Sequence, residues 1–118
     1  MKIGFAVMTE FLKYQQIYSL LKLIEAAKAK NHQITGIFFF GTGVLNIKKG
    51  AHLGKSTKNI PLELENLHDI PKYACQTWAD NYAIFPEDTI QGLEITGLGE
   101  LSNITKESDK MIFFGAHA

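Results

Sequence analysis

The chain predicts an α/β protein, a three-layer α/β/α sandwich on a mostly parallel sheet of about five strands. Three features point there. Apolar runs at Ile3–Met8, Ile34–Phe40, Ile70–Cys75 and Asp109–Phe114 are largely continuous, the pattern of strands buried on both faces. Between the first two, the apolar period lengthens to three and four residues, as in an amphipathic helix. Turn residues (Asn31, Gly41, Gly43, Gly97, Gly99) punctuate the alternation.

Taken in order, Ile3–Met8 is a strand ended by Thr9-Glu10. Tyr14–Lys30 is a helix, with Ile17, Leu20, Leu21, Ile24 and Ala27 on one stripe and Lys13, Lys22, Glu25 and Lys28 among them. Asn31-His32 ends it, because Asn tolerates the left-handed conformation and His suits the negative helix end. Ile34–Phe40 is the second strand, so the pair forms a right-handed parallel crossover. Gly41-Thr42-Gly43 turns the chain, and Val44–Ile47 starts a short helix. Lys48–Asn59 is polar and lysine-rich and reads as a surface loop. Pro61 opens a helix that continues weakly to His68. Ile70–Cys75 is the third strand, with Pro71 near its start, where a missing N–H does least harm. Thr77–Ala83 is a helix, Leu93–Thr96 a strand, Glu100–Glu107 a helix and Asp109–Phe114 the last strand.

With 118 residues, a single domain spanning 1–118 is expected, large enough for one core. Twelve basic and twelve acidic side chains cancel, so nothing in the charge balance favours nucleic acid. The opening apolar run is too short for a signal peptide core or a membrane span. The single cysteine forms no internal disulfide. A cytoplasmic protein with no membrane and no nucleic-acid partner is the expectation.

Cys75 is the candidate functional residue. It ends a strand and precedes a helix, where α/β proteins place their chemistry and where the positive helix end favours a thiolate. The competing reading is packing, since free cysteine is among the most buried residue types. No histidine among His32, His52, His68 and His117 can be assigned as its base, so a protease-like dyad has no support. A reachable nucleophilic sulfur without a fixed base suits a sulfur carrier.

Other motifs are weaker. Gly50–Ser56 resembles a phosphate loop but has one residue too few between its glycines. Gly41-Thr42-Gly43 lacks the third glycine of a dinucleotide fingerprint. The histidines and the cysteine show no zinc spacing, so neither metal nor cofactor is expected. Trp78 and Tyr82 share a helix face near Cys75, with core packing the plainer role and a pocket wall or subunit contact the sharper one.

Several stretches together resemble the DsrE/DsrF-like sulfur-relay family. Tyr14-Gln15-Gln16 resembles its Tyr-x-x-Gln element, and Lys30–Ile34 its Gly-His stretch. Ile37–Val44 resembles its Val-Phe-Phe-Tyr-x-x-Gly-Val, and Ile95–Leu101 with Ser108–Phe113 its Gly-Leu-Gly and Asp-Arg ending. Cys75 falls where active members carry their sulfur-accepting cysteine. The Arg-Arg-Gly that usually follows is absent, and Gln76–Tyr82 stands there instead. The resemblance implies a flavodoxin-like fold and a persulfide on Cys75. It also implies trimers or hexamers of DsrE-like subunits, and a small sulfur-carrier protein as acceptor. The alternatives are a non-catalytic DsrE-like subunit and a small-molecule binder using the crevice between Gly41–Val44 and Cys75.

Overall fold

Every strand packs one side chain in two against a different layer, and that alternation sets the architecture. The computed structural model describes residues 1–51 and 58–115. Its strands are β1 (Lys2–Val7), β2 (Gln33–Phe39), β3 (Lys72–Cys75), β4 (Leu93–Thr96) and β5 (Lys110–Phe114). Its helices are α1 (Tyr14–Ala29), α2 (Ile60–Glu65), α3 (Gln76–Asn81) and α4 (Gly99–Glu107), with 3-10 segments at Gly41–Ile47 and Pro86–Asp88. The five strands form one sheet in the order β4-β3-β2-β1-β5, and every pair is parallel. The layered α/β arrangement is as expected. The strand that flanks β1 on its far side is the last in the chain.

The two faces are covered unequally. Phe5, Val7, Ile37, Phe39 and Ala74 point to one face, against Ile17, Leu20 and Ile24 of α1, Val44 and Ile47, Leu64 of α2 and Ala79 of α3. The other face carries Phe38, Cys75 and Met111 and meets α4 through Leu101 and Ile104. Helix α4 gets close because two strand positions lack a side chain. A Cβ on Gly4 would fall 2.7 Å from Ile104 Cγ2, and one on Gly36 3.1 Å from its Cδ1. The Ser108 hydroxyl, bonded to Thr35 Oγ1 at 2.6 Å and to the Ile104 carbonyl oxygen at 2.6 Å, ties the end of α4 down.

Helix ends follow the local chemistry. Asn31 takes φ 64°, and His32 N–H donates to the Ala27 carbonyl at 3.0 Å, closing the expected left-handed cap of α1. Asn59 caps α2 by accepting from Leu62 N at 3.2 Å, and a proline follows in its first turn. Val44–Ile47 does not begin an α-helix of its own; it continues a 3-10 segment that starts at Gly41. Its Asn46 Nδ2 donates to the Thr9 carbonyl at 2.7 Å and to the Gly43 carbonyl at 3.0 Å, which pins the segment to the end of β1.

Of the Lys48–Asn59 loop, Lys48 pairs with Thr89 in an antiparallel bridge, and Lys49 N–H donates to the Asp88 carbonyl at 2.8 Å. Most of the Gly50–Ser56 stretch, with His52, lies outside the described residues, as does His117. No helix among the described residues is long and apolar enough to cross a membrane.

Candidate functional site at the carboxyl end of β3

All strands run the same way, so their carboxyl ends share one edge of the sheet. At that edge the chain leaves β3 through α3 toward the α1 face, and leaves β4 through α4 toward the opposite face. Diverging connections of this kind open a crevice between neighbouring strands. Cys75 and Thr96, paired across β3 and β4, sit at that point. The position expected for Cys75 is therefore the position found: last in its strand and first residue before a helix.

The surroundings of the sulfur are apolar. Cys75 is 4% exposed and clusters with Phe38 and Ile104, and Phe40, Tyr73, Leu101 and Met111 pack against the group. The residues of this cluster come from β2 and the position just after it, β3, β5 and α4, segments far apart in the chain.

Tyr73 shares the Cys75 face because it is two residues earlier in the strand. Burial pushes its phenol pKa up, and the negative charge of the Glu100 carboxylate, then those of Glu94 and Glu107, push the same way. Neither Tyr73 nor Glu100 belongs to a motif in the sequence. The strand period alone places Tyr73 there; Glu100 depends on where α4 crosses.

Lys72 points the other way. It is buried, and its ammonium donates to the Leu67 carbonyl at 2.6 Å and the Ile70 carbonyl at 3.0 Å. Burial lowers its pKa, with Asp69 and Glu65 opposing. Its charge therefore serves the turn before β3 and does not reach the thiol. Asp80, the acid nearest in sequence after Cys75, accepts from Gln76 Nε2 at 2.8 Å on the exposed side of α3.

Trp78 and Tyr82 stack with ring centroids 6.3 Å apart, each 38% exposed, so core packing does not account for them. His32, which lies beside the Met1 amine at 3.1 Å, and the exposed His68 both precede strands, at the opposite end of the sheet from Cys75. The cleft of about 530 Å³ between Lys28, His32, Asp69 and Glu107 is at that far end too. Nearer the cysteine, a cleft of about 550 Å³ runs along β4 between Lys49, Gln76, Pro86 and Ile95. Among the described residues, no group of three or more His, Cys, Asp or Glu side chains is placed to hold a metal ion.

A parallel five-stranded sheet with helices on both faces and a cysteine where the connections diverge defines an α/β protein of the doubly wound type. The DsrE/DsrF-like family model matches residues 1–114, and the chain belongs to that family, which is associated with sulfur relay. Among solved structures, the YchN protein from E. coli superposes with a TM-score of 0.78 at 25% identity, over 97% of this chain and 99% of that one. MTH1491 from Methanobacterium thermoautotrophicum, a protein of unknown function, superposes with a TM-score of 0.73 at 13% identity, over 95% and 97% of the two chains. The second likeness concerns the fold alone. No curated protein sequence matches.

Proposed function

We propose that this chain is a sulfur carrier of the DsrE type that holds sulfane sulfur as a persulfide on Cys75. The supporting observation is the place of its one cysteine at the divergence of the β3 and β4 connections. Loading is an exchange without net redox change. The Cys75 thiolate attacks the terminal sulfur of a donor persulfide; the new S–S bond forms as the donor's S–S bond breaks, and the donor leaves as a thiolate. An acceptor thiolate then attacks the outer sulfur of the Cys75 persulfide and takes it, returning the Cys75 thiolate. The acceptor fits a small sulfur-carrier protein, and a reducing cytoplasm keeps the thiol free.

The assembly proposed with it is a trimer or hexamer with DsrE-like subunits. The α4 face supports this: Phe113 is 61% exposed there, two residues along β5 from the half-buried Met111. A second reading, a non-catalytic subunit in which Cys75 only packs, is favoured by its 4% exposure.

Intact-mass spectrometry after incubation with a polysulfide, beside Cys75→Ser, separates the two. Whole-sulfur additions that the variant lacks and a reductant reverses are the expected result. A folded, reduced protein that gains no sulfur would sink the carrier reading in favour of the packing one.

A further inference from the structure

Helix α3 seats on the core through Ala79 and leaves its aromatic side chains unpartnered. Trp78 and Tyr82 stack on one another, each 38% exposed, and Phe85, just beyond the helix, is 53% exposed. Trp78 follows Cys75 by three residues, about one helical turn.

The charge around this helix face is one-sided. From Tyr73 to Thr105 the chain has five carboxylates (Asp80, Glu87, Asp88, Glu94 and Glu100) and no lysine or arginine. The first 72 residues hold ten lysines and five acids. The fold keeps the acidic stretch together as β3, α3, the edge strand β4 and most of α4. Asp80, Glu87 and Glu94 are exposed. Asp80 and Asp88 accept from uncharged donors, Gln76 Nε2 at 2.8 Å and Phe85 N–H at 3.2 Å. The ion pairs among the described residues lie elsewhere: Lys22–Glu25, Lys28–Asp69 and Lys58–Glu63. Lys49 stands at the rim, lining the cleft along β4 together with Glu94.

We infer that the Trp78–Tyr82 face of α3 is a docking surface for a protein whose contacting segment is rich in lysine or arginine. Charge complementarity selects that occupant. The six residues of α3 span about 9 Å, within the ~10 Å over which exposed charges act at ordinary salt, so Asp80 acts on a cation at the rings. Indole and phenol faces then accept the cation directly. A second copy of this chain is the weaker fit, since Lys22, Lys28 and Lys58 are already paired and Lys72 is buried on carbonyls. The partner so defined is the protein that exchanges sulfur with Cys75, and in that respect the inference rests on the carrier reading.

Trp78 is the one tryptophan, so its fluorescence reports on this face alone. In the folded, full-length chain, caesium is expected to quench it about twofold more than iodide does, relative to free tryptophan, with the gap closing at high salt. Fluorescein-labelled octa-arginine, followed by anisotropy, is the binding probe. Its affinity is expected to fall about tenfold or more in Trp78→Ala, as for an aromatic anchor, and less in Trp78→Phe, which keeps a ring. Asp80→Asn with Glu87→Gln is expected to weaken it about threefold to tenfold. Glu25→Gln and Glu63→Gln, acids of the other part of the chain, are expected to leave it unchanged. Equal quenching by the two ions would overturn the inference. So would binding that ignores Trp78→Ala, or that falls as much in Glu25→Gln and Glu63→Gln. Sedimentation showing that Trp78→Ala dissociates an assembly of this chain would give the face to a second copy and overturn it too. Binding needs no thiol and is expected unchanged in Cys75→Ser. Docking without any sulfur adduct would therefore remove the carrier reading and leave the surface standing.

Discussion

Gly43 is expected to be the least replaceable glycine among those of the turn after β2. Its backbone lies directly on the end of β1: a Cβ there would press into the Val7 carbonyl oxygen, with Val7 C at 2.9 Å and Met8 Cα at 3.4 Å. Carbon atoms settle at about 3.5–4.0 Å, so the 3-10 segment has to lift off β1. The obstacle is backbone, which no rotamer change relieves. Lifting also strains the Asn46 bonds to the Thr9 and Gly43 carbonyls. Overpacking costs about 1–3 kcal/mol, and a rigid backbone contact puts Gly43→Ala at the upper end, about 3 kcal/mol. For a chain of this size that lowers the melting temperature by about 10 °C. Urea unfolding followed by circular dichroism measures it, with Gly97→Ala as the comparison, since a Cβ there meets nothing within 4 Å. Gly43→Ala within about 0.5 kcal/mol of the parent would refute the reasoning, because a close approach that tolerates a methyl group is not a constraint.

Two further outcomes follow from local chemistry. Ala83 ends α3 at φ 54°, with Ile84 N–H donating to the Ala79 carbonyl at 2.8 Å, a conformation that costs a residue with a Cβ. Ala83→Gly is expected to raise stability by about 0.5–1 kcal/mol, net of the extra freedom glycine has unfolded, and a lower urea midpoint would count against it. Tyr73 should ionise at a higher pH than a free tyrosine, since burial and then Glu100 oppose its charge. The folded chain then holds a proton that the unfolded chain releases near pH ~10, so this contribution to stability is present below that pH and lost as pH rises through the folded value. Ultraviolet titration of the folded chain beside Tyr73→Phe reads the step, and Glu100→Gln is expected to move it down.

Much of this was legible residue by residue. The α1 stripe of Ile17, Leu20 and Ile24 is buried as its period requires, and Asn31 takes the left-handed cap its side chain tolerates. The position of Cys75 at a strand-to-helix turn was equally plain. Trp78 and Tyr82 misled: their spacing gives a shared helix face but not whether anything covers it, and both rings are left partly in solvent. Lys72 shows a similar limit. Alternation separates it from Cys75, but its bonds to the Leu67 and Ile70 carbonyls come from how the turn before β3 folds back.

What the sequence by itself determined is local: which segments are strand or helix, where they stop, and that Tyr73 and Cys75 share a face. Those follow from periodicity and end chemistry, which act over a few residues. The tertiary structure alone decided which face that is and what lies on it. Strand β5 adds beside β1, so α4 crosses from β4 over the Cys75 face and brings Leu101 and Ile104 into the cluster that holds Cys75. That crossing joins residues some thirty positions apart. It is set by the direction of one parallel crossover, which no short stretch of the chain encodes.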